Sequence, residues 1–251
     1  YRGLDEVGVY LIGFNFGLVM NVLVSAFSSA WYPHFMSYMT RQAEARDTFG
    51  RILSAYVLGF GVLSLLFYSL AKPVVMIMTQ QPFHDAYRVV GPAATAFLLG
   101  GLFVLLLPAV YFAKDVKYVS VIQGISAAGA IGFNVWLIPR FGMAGAVLSL
   151  VLGHVILVLM QIAWNRLKRR QYFQIHYEWK RILRFCIPYA GLATLALWPR
   201  TIGLSHEIVY SGVLTAGSLF LLFASLTAGE KRWIASWIGT RSKQDSTHGR
   251  G

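Results

Sequence analysis

The chain has 251 residues, of which 57% are hydrophobic and only 13% are charged, and it carries a formal net charge of +12. About a quarter of the residues of an ordinary soluble domain are charged, so this composition argues against a soluble protein. The basic residues stand in short blocks between long uncharged runs, which is typical of membrane flanks and not of a nucleic-acid-binding surface. We therefore expect a protein of the lipid bilayer that has no nucleic-acid partner.

Continuous apolar runs predict an all-α fold, a polytopic transmembrane helix bundle of about seven spans. A helix needs roughly 20 apolar residues to cross the hydrocarbon core. The runs are continuous and not alternating, which favours helices over a β-barrel. In chain order, the predicted spans are residues 7–30, 52–71, 89–113, 118–139, 143–164, 182–204 and 208–229. The sixth span requires Arg184 and Arg200 to snorkel to opposite surfaces.

Proline residues mark several expected helix boundaries. Pro33, Pro73 and Pro139 are expected to end the first, second and fourth spans. Pro92 and Pro108 lie inside the third span, where the missing backbone hydrogen bonds predict kinks.

Residues 1–230 are thus expected to form one transmembrane helical region. Within it, residues 37–51 have helical charge spacing and predict a surface helix. Residues 165–184 mix basic and aromatic side chains, a pattern suited to anionic lipid headgroups. The basic tail, residues 231–251, is expected to be interfacial at first and then disordered.

Lysine and arginine counts predict the orientation of the chain, because cytoplasmic loops of membrane proteins are enriched in both. If the N-terminus lies outside, 17 of the 22 Lys and Arg residues fall on the cytoplasmic side. We therefore expect a multi-pass protein of the inner (cytoplasmic) membrane, with the N-terminus of this chain outside and its C-terminus in the cytoplasm. Because the chain starts at Tyr1 and not at a methionine, we also expect a fragment whose N-terminal part is missing.

Four residues are candidates for a substrate path: His154, Asn134, Arg51 and Arg88. His154 lies deep in the fifth span, where it either handles substrate or protons or is a neutral imidazole bonded to a neighbouring helix. Asn134 contacts either a substrate or a neighbouring helix. Arg51 and Arg88 lie at opposite ends of the second and third spans. They either hold a phosphate-bearing substrate or set topology and bind headgroups.

Residues that could support other chemistry are scarce. All acidic residues lie in predicted loops or at helix ends, so an ion-coupling carboxylate would have to lie outside this chain. No nucleophile elbow, P-loop or cluster with metal-ligand spacing is present, and the single cysteine, Cys186, cannot form an internal disulfide. We expect no enzyme activity, no metal and no cofactor.

Three stretches carry a family resemblance. Residues 6–10 (EVGVY) lead through a span to residues 30–33 (AWYP), and Lys114 follows the third span. Residues 134–146 (NVWLIPRFGMAGA) match the pattern N-x-x-x-I-P-x-x-G-x-x-G-A. Together they resemble the C-terminal half of the polysaccharide (O-antigen type) flippases in the multidrug/oligosaccharidyl-lipid/polysaccharide exporter superfamily.

The resemblance implies a two-lobed transporter of about 14 helices, of which this chain would supply the last seven. It also implies a lipid-linked oligosaccharide as substrate, carried as its undecaprenyl diphosphate for surface polysaccharide or lipopolysaccharide biosynthesis, and polysaccharide assembly proteins as partners. Within the 134–146 motif, Gly142 and Gly145 are expected to allow a tight outer hairpin.

Two alternatives stay open. One is a cation-coupled multidrug exporter of the same superfamily. The other is a membrane-embedded glycosyltransferase, acyltransferase or polymerase, for which residues 72–88, with His84 and Asp85, are the one candidate loop.

Overall fold

The computed structural model describes residues 4–168, 170–197 and 204–226, and within these ranges the chain is a bundle of helices without strands. The helices are α1 (Leu4–Met36), α2 (Gln42–Met78), α3 (Tyr87–Leu105), α4 (Pro108–Phe112), α5 (Lys117–Phe141), α6 (Met143–Leu167), α7 (Trp179–Leu197) and α8 (Leu204–Ser225), with a 3₁₀ helix, Gln81–Ala86, before α3. The predicted all-α helix bundle is confirmed. The predicted tail, residues 231–251, and part of the sixth and seventh predicted spans lie outside the described residues.

Within the described residues, six helical stretches are long and apolar enough to cross a membrane, so the chain is a multi-pass membrane protein. They are Asp5–Met36, Gln42–Met78, Gln81–Phe112, Lys117–Phe141, Met143–Leu167 and His206–Ser225. The sixth predicted span corresponds to α7, which carries Lys180, Arg181 and Arg184 in its first two turns and is therefore the least apolar of the long helices. It packs beside α2 and α8, and together with the six stretches above it makes seven long helices in the described part of the chain.

Helices α1, α2 and α5 run past the prolines that were expected to end them. They end at Met36, Met78 and Phe141, with Pro33, Pro73 and Pro139 inside the helix. A proline removes one backbone hydrogen bond, and the demand for internal hydrogen bonding in lipid keeps the rest of the helix intact. The third predicted span does break near a proline: α3 ends at Leu105, and Pro108 begins α4 at a position where its missing N–H is tolerated.

The two long segments between spans are packed into the bundle. Residues 42–51 are the first turns of α2 and not a separate surface helix, and they bury Ala45 and Phe49. Tyr172 and Phe173, expected to face lipid headgroups, are also buried. The Phe173 ring packs edge-on against Phe49 and Phe112, with ring centroids 6.0 and 5.2 Å apart. Aromatic burial at this end therefore closes the core.

Helices α2 and α3 form the centre of the bundle. Helix α3 packs against α1, α2 and α6, whereas α5 packs mainly on α6. Gly17 of α1 lets the helices approach closely, because a Cβ there would lie 2.5 Å from the Cβ of Ala93 in α3. Tyr56 of α2 donates a hydrogen bond to the Leu98 carbonyl of α3, 3.0 Å away.

The α5–α6 hairpin forms at the predicted motif. Gly142 has φ of 56°, a conformation that favours glycine, and its N–H donates to the Ile138 carbonyl at 2.8 Å. A Cβ on Gly145 would collide with the Leu137 carbonyl oxygen. Both glycines are therefore required for this turn, which holds α5 against α6.

Candidate functional site

A polar cavity of about 330 Å³ lies between α1, α5 and α6. Its polar lining consists of Tyr10, Gln123, Ser126, Asn134 and His154, and small or apolar residues of α5 and α6 complete the wall. Two of the four sequence candidates, His154 and Asn134, therefore share one cavity within the membrane-spanning helices.

The hydrogen bond of His154 determines which ring nitrogen faces a ligand. Its Nδ1 lies 3.0 Å from the Leu150 carbonyl one turn earlier in α6. Because a carbonyl only accepts, Nδ1 carries the proton, and Nε2 of the neutral ring is an acceptor. Gly100 of α3 lies beside this edge of the ring, where a Cβ would stand at ordinary contact distance, 3.8 Å from Nε2. The imidazole is thus bonded within its own helix through Nδ1.

Asn134 connects the two helices of the hairpin. Its Oδ1 accepts a hydrogen bond from the hydroxyl of Ser149 in α6, and the same hydroxyl lies 2.9 Å from the Ala146 carbonyl. Ser149 is fully buried. An interhelical role, one of the two interpretations of Asn134, is therefore present in the wall of the cavity.

A second cavity, of about 720 Å³, surrounds Arg88 at the end of the bundle that also holds Gly142. Its wall is mostly apolar and is formed largely by α6, through Met143, Val147, Leu148 and Val151. Charged groups line one part of it: Glu6, Asp85 and Arg88. The cavity is therefore amphiphilic.

Arg88 is half exposed in this cavity, with 47% of its side chain accessible. Its guanidinium lies 3.4 Å from Asp85 and donates from Nε to the Tyr87 hydroxyl at 3.3 Å. A guanidinium has five N–H donors, so these two contacts leave donors for an anion.

Arg51 does not join the other candidates. It is exposed on α2, near the end opposite Arg88, and it lines neither the His154 cavity nor the Arg88 cavity.

The loop that an enzyme would need is largely ordered structure. Residues 72–78 belong to α2, and His84 and Asp85 lie in the 3₁₀ helix. His84 contacts the Thr79 carbonyl at 3.3 Å, and Asp85 pairs with Arg88. Among the described residues, no group of three His, Cys, Asp or Glu could hold a metal ion.

An ion pair between Lys72 of α2 and Glu207 of α8 was missed by sequence reasoning. Glu207 is only 1% exposed, and the Lys72 side chain is 16% exposed. Both residues appeared to flank spans, but α2 continues past Pro73 and α8 begins at Leu204, so both lie within helices. The available signal was their opposite charge on the same predicted side of the membrane.

A partly buried hydroxyl cluster joins α2, α3 and α7 near the Arg88 cavity. The Thr95 hydroxyl lies 2.7 Å from the Tyr189 hydroxyl and 3.0 Å from that of Tyr68, which also lines the cavity. Ser64 lies 2.9 Å from Tyr189 and completes the cluster. These bonds hold three helices together without a charged group.

A scan against protein-family models finds no family that matches the chain, and a search of the curated proteins finds no match either.

Proposed function

We propose that the chain is part of a membrane transporter that moves a lipid-linked oligosaccharide across the cytoplasmic membrane for surface polysaccharide biosynthesis. The amphiphilic Arg88 cavity is the observation that carries this proposal. A guanidinium suits a phosphate, and the valine and leucine wall suits the first isoprene units of a polyprenyl chain. A lipid-linked phosphate combines both groups.

The His154 cavity supports the same substrate class. Its polar lining is rich in amide, hydroxyl and imidazole groups and contains no carboxylate or permanent cation. Such groups can donate to and accept from the hydroxyls of a sugar. Helices α1 and α6 line both cavities, so phosphate and sugar contacts would lie on the same helices.

The surface of α5 supports a second helical body beside this bundle. Gly124 and Gly132 are open, since a Cβ on either would meet no atom within 4 Å, and Gln123 is exposed between apolar neighbours. Small and polar residues in a membrane helix favour close packing with another helix. In the proposed transporter this body is the other lobe, and substrate passes by alternating access.

The Glu207 carboxylate favours a second candidate function, the cation-coupled multidrug exporter. It is a buried ionisable group in a spanning helix, and such groups are frequent in proton and sodium paths. Its ion pair with Lys72 makes it less available to a coupling cation, which is why this function is placed second.

The test uses the full-length gene in a strain that lacks it and has lost surface polysaccharide. The wild-type gene is expected to restore the polysaccharide. Arg88→Gln is expected to reduce the restored polysaccharide about tenfold at equal membrane abundance. The reason is the loss of the charge-assisted hydrogen bond from the half-exposed guanidinium to phosphate, which is worth about 1.5 kcal/mol. Arg140→Gln is the matched control, since Arg140 lies at the same end but stacks on Trp136, 4.4 Å from the ring centroid.

The proposal is contradicted if the wild-type protein reaches the membrane at normal abundance and surface polysaccharide is not restored. The multidrug exporter would be favoured if the wild-type gene raised the resistance of the same strain to cationic drugs and the Glu207→Gln variant did not.

A further inference from the structure

A crevice of about 800 Å³ separates the first turns of α7 from the last turn of α8, at the end of the bundle opposite Arg88. Three cations of α7 line one side: Lys180, Arg181 and Arg184. The other side is formed by Leu221, Ala224 and Ser225 of α8 and by Leu226, the residue that follows this helix. The crevice shares no residue with the His154 and Arg88 cavities.

Arg181 is already engaged in holding the two helices together. Its Nη1 lies 3.1 Å from the Glu178 carboxylate, and its Nε donates to the Ser225 carbonyl at 3.2 Å. The pair also neutralises Glu178, the one carboxylate in the lining. The walls of the crevice are therefore tied together, and the acid does not compete for the other cations.

Lys180 and Arg184 remain for a ligand. They are four residues apart on α7, so they lie one above the other on one face of the helix. Both are exposed, and neither forms an ion pair with any residue in the described part of the chain. Two unpaired cations one turn apart form a site for an anion such as a phosphate.

Aromatic residues place this cation pair at the membrane surface. Trp179 and Tyr177 line the crevice, and the Arg166 guanidinium lies 5.6 Å from the centroid of a Trp179 ring. Tryptophan and tyrosine are enriched at the headgroup level of bilayers. Burial raises the pKa of the Tyr177 phenol, so this side chain stays neutral and adds no negative charge.

We propose that this crevice binds the phosphate headgroup of an anionic phospholipid, with Lys180 and Arg184 on the phosphate and the α8 wall against an acyl chain. Basic residues beside a membrane surface attract anionic lipids. The leucine and alanine wall can pack against an acyl chain, whereas it offers no favourable contact to a free inorganic ion. The residues after Leu226 are poor competitors of an anionic lipid for this cation pair, because their sequence has five Lys and Arg residues and only two acidic residues. The site does not depend on the proposed transport activity.

The test measures lipid binding by native mass spectrometry of the purified full chain in detergent, titrated with phosphatidylglycerol or phosphatidylcholine. Wild type is expected to bind phosphatidylglycerol about 25-fold more tightly than phosphatidylcholine, because two cations contribute. The double variant Lys180→Gln, Arg184→Gln is expected to lose most of this preference, since each cation near the surface contributes about fivefold. The matched control is Lys114→Gln, Lys117→Gln, which removes the same charge at the same end of the bundle but outside the crevice.

Three results would overturn the proposal. One is an equal loss of preference in both double variants, which indicates general charge attraction. Another is full displacement of the lipid by 10 mM inorganic phosphate, which indicates an ion site. The third is wild type without any preference. If the double variant does not keep its helical circular dichroism, the single variants Lys180→Gln and Arg184→Gln replace it, each with an expected loss of about fivefold.

Discussion

The two ends of the bundle use charge in opposite ways. At the Glu207 end, defined by Lys72, Arg88 and Glu207, a buried carboxylate meets a largely buried ammonium between α2 and α8. At the Trp179 end, defined by residues 170–178 and the first turns of α7, aromatic rings close the core and exposed cations face a crevice. Charge that joins helices is buried and matched. The two cations that face the crevice without an ion pair in the described residues, Lys180 and Arg184, are exposed and of one sign.

The largest expected effect breaks the pair at the Glu207 end. Glu207→Gln should lower the free energy of unfolding by about 3–5 kcal/mol, because it leaves the Lys72 charge buried without this carboxylate. Thermal unfolding in detergent measures the loss. Glu44→Gln is the control: it breaks an exposed pair with Arg41 and should cost less than about 1 kcal/mol.

The double variant Lys72→Met, Glu207→Gln should recover most of the stability, since both charges of this pair are then removed. Equal destabilisation by Glu207→Gln and Glu44→Gln would show that the ends do not differ in this respect.

The next effect concerns aromatic closure at the Trp179 end. Phe173→Ala should lower the free energy of unfolding by about 3 kcal/mol, because it leaves a cavity between Phe49 and Phe112. Phe220→Ala, at a site that is 72% exposed, should have little effect. If the two variants melted alike, the segment 170–178 would not be part of the core.

A smaller effect concerns His154, which lies between the two ends. His154→Ala should reduce restored surface polysaccharide about tenfold, equivalent to about 1.4 kcal/mol, with membrane abundance unchanged within twofold. The physical reason is the loss of the Nε2 acceptor in the cavity. His34→Ala changes an exposed histidine and serves as control. Parallel loss of polysaccharide and abundance would indicate a structural role only.

The smallest effect is expected for the exposed pair of Asp47 and His176, whose side chains are 70% and 65% exposed. Asp47→Asn should change the free energy of unfolding by less than about 1 kcal/mol, because water screens the interaction. The same segment is also held by the His176 N–H, which donates to the Arg46 carbonyl at 3.3 Å. A loss as large as that of Phe173→Ala would show that surface charge, and not aromatic packing, closes this end.

Local features of the candidate site could be predicted from sequence. His154 was conspicuous because an ionisable side chain in an apolar run is rare. The turn at Gly142 and Gly145 was predictable because few residues tolerate its backbone conformation and close contact. Arg88 was conspicuous as a cation at a span end, but the apolar wall that makes its cavity amphiphilic comes from α6, more than 50 residues later.

Sequence alone determined that this chain is a membrane-spanning helix bundle and where most of its helices lie, because lipid requires long apolar runs and internal backbone hydrogen bonds. Only the tertiary structure decided which polar groups meet. The Lys72–Glu207 pair joins residues 135 positions apart, and Tyr172 reaches Asp115 across 57 positions. Helix periodicity determines which face a residue occupies, but the partner on that face depends on how helices distant in sequence pack together.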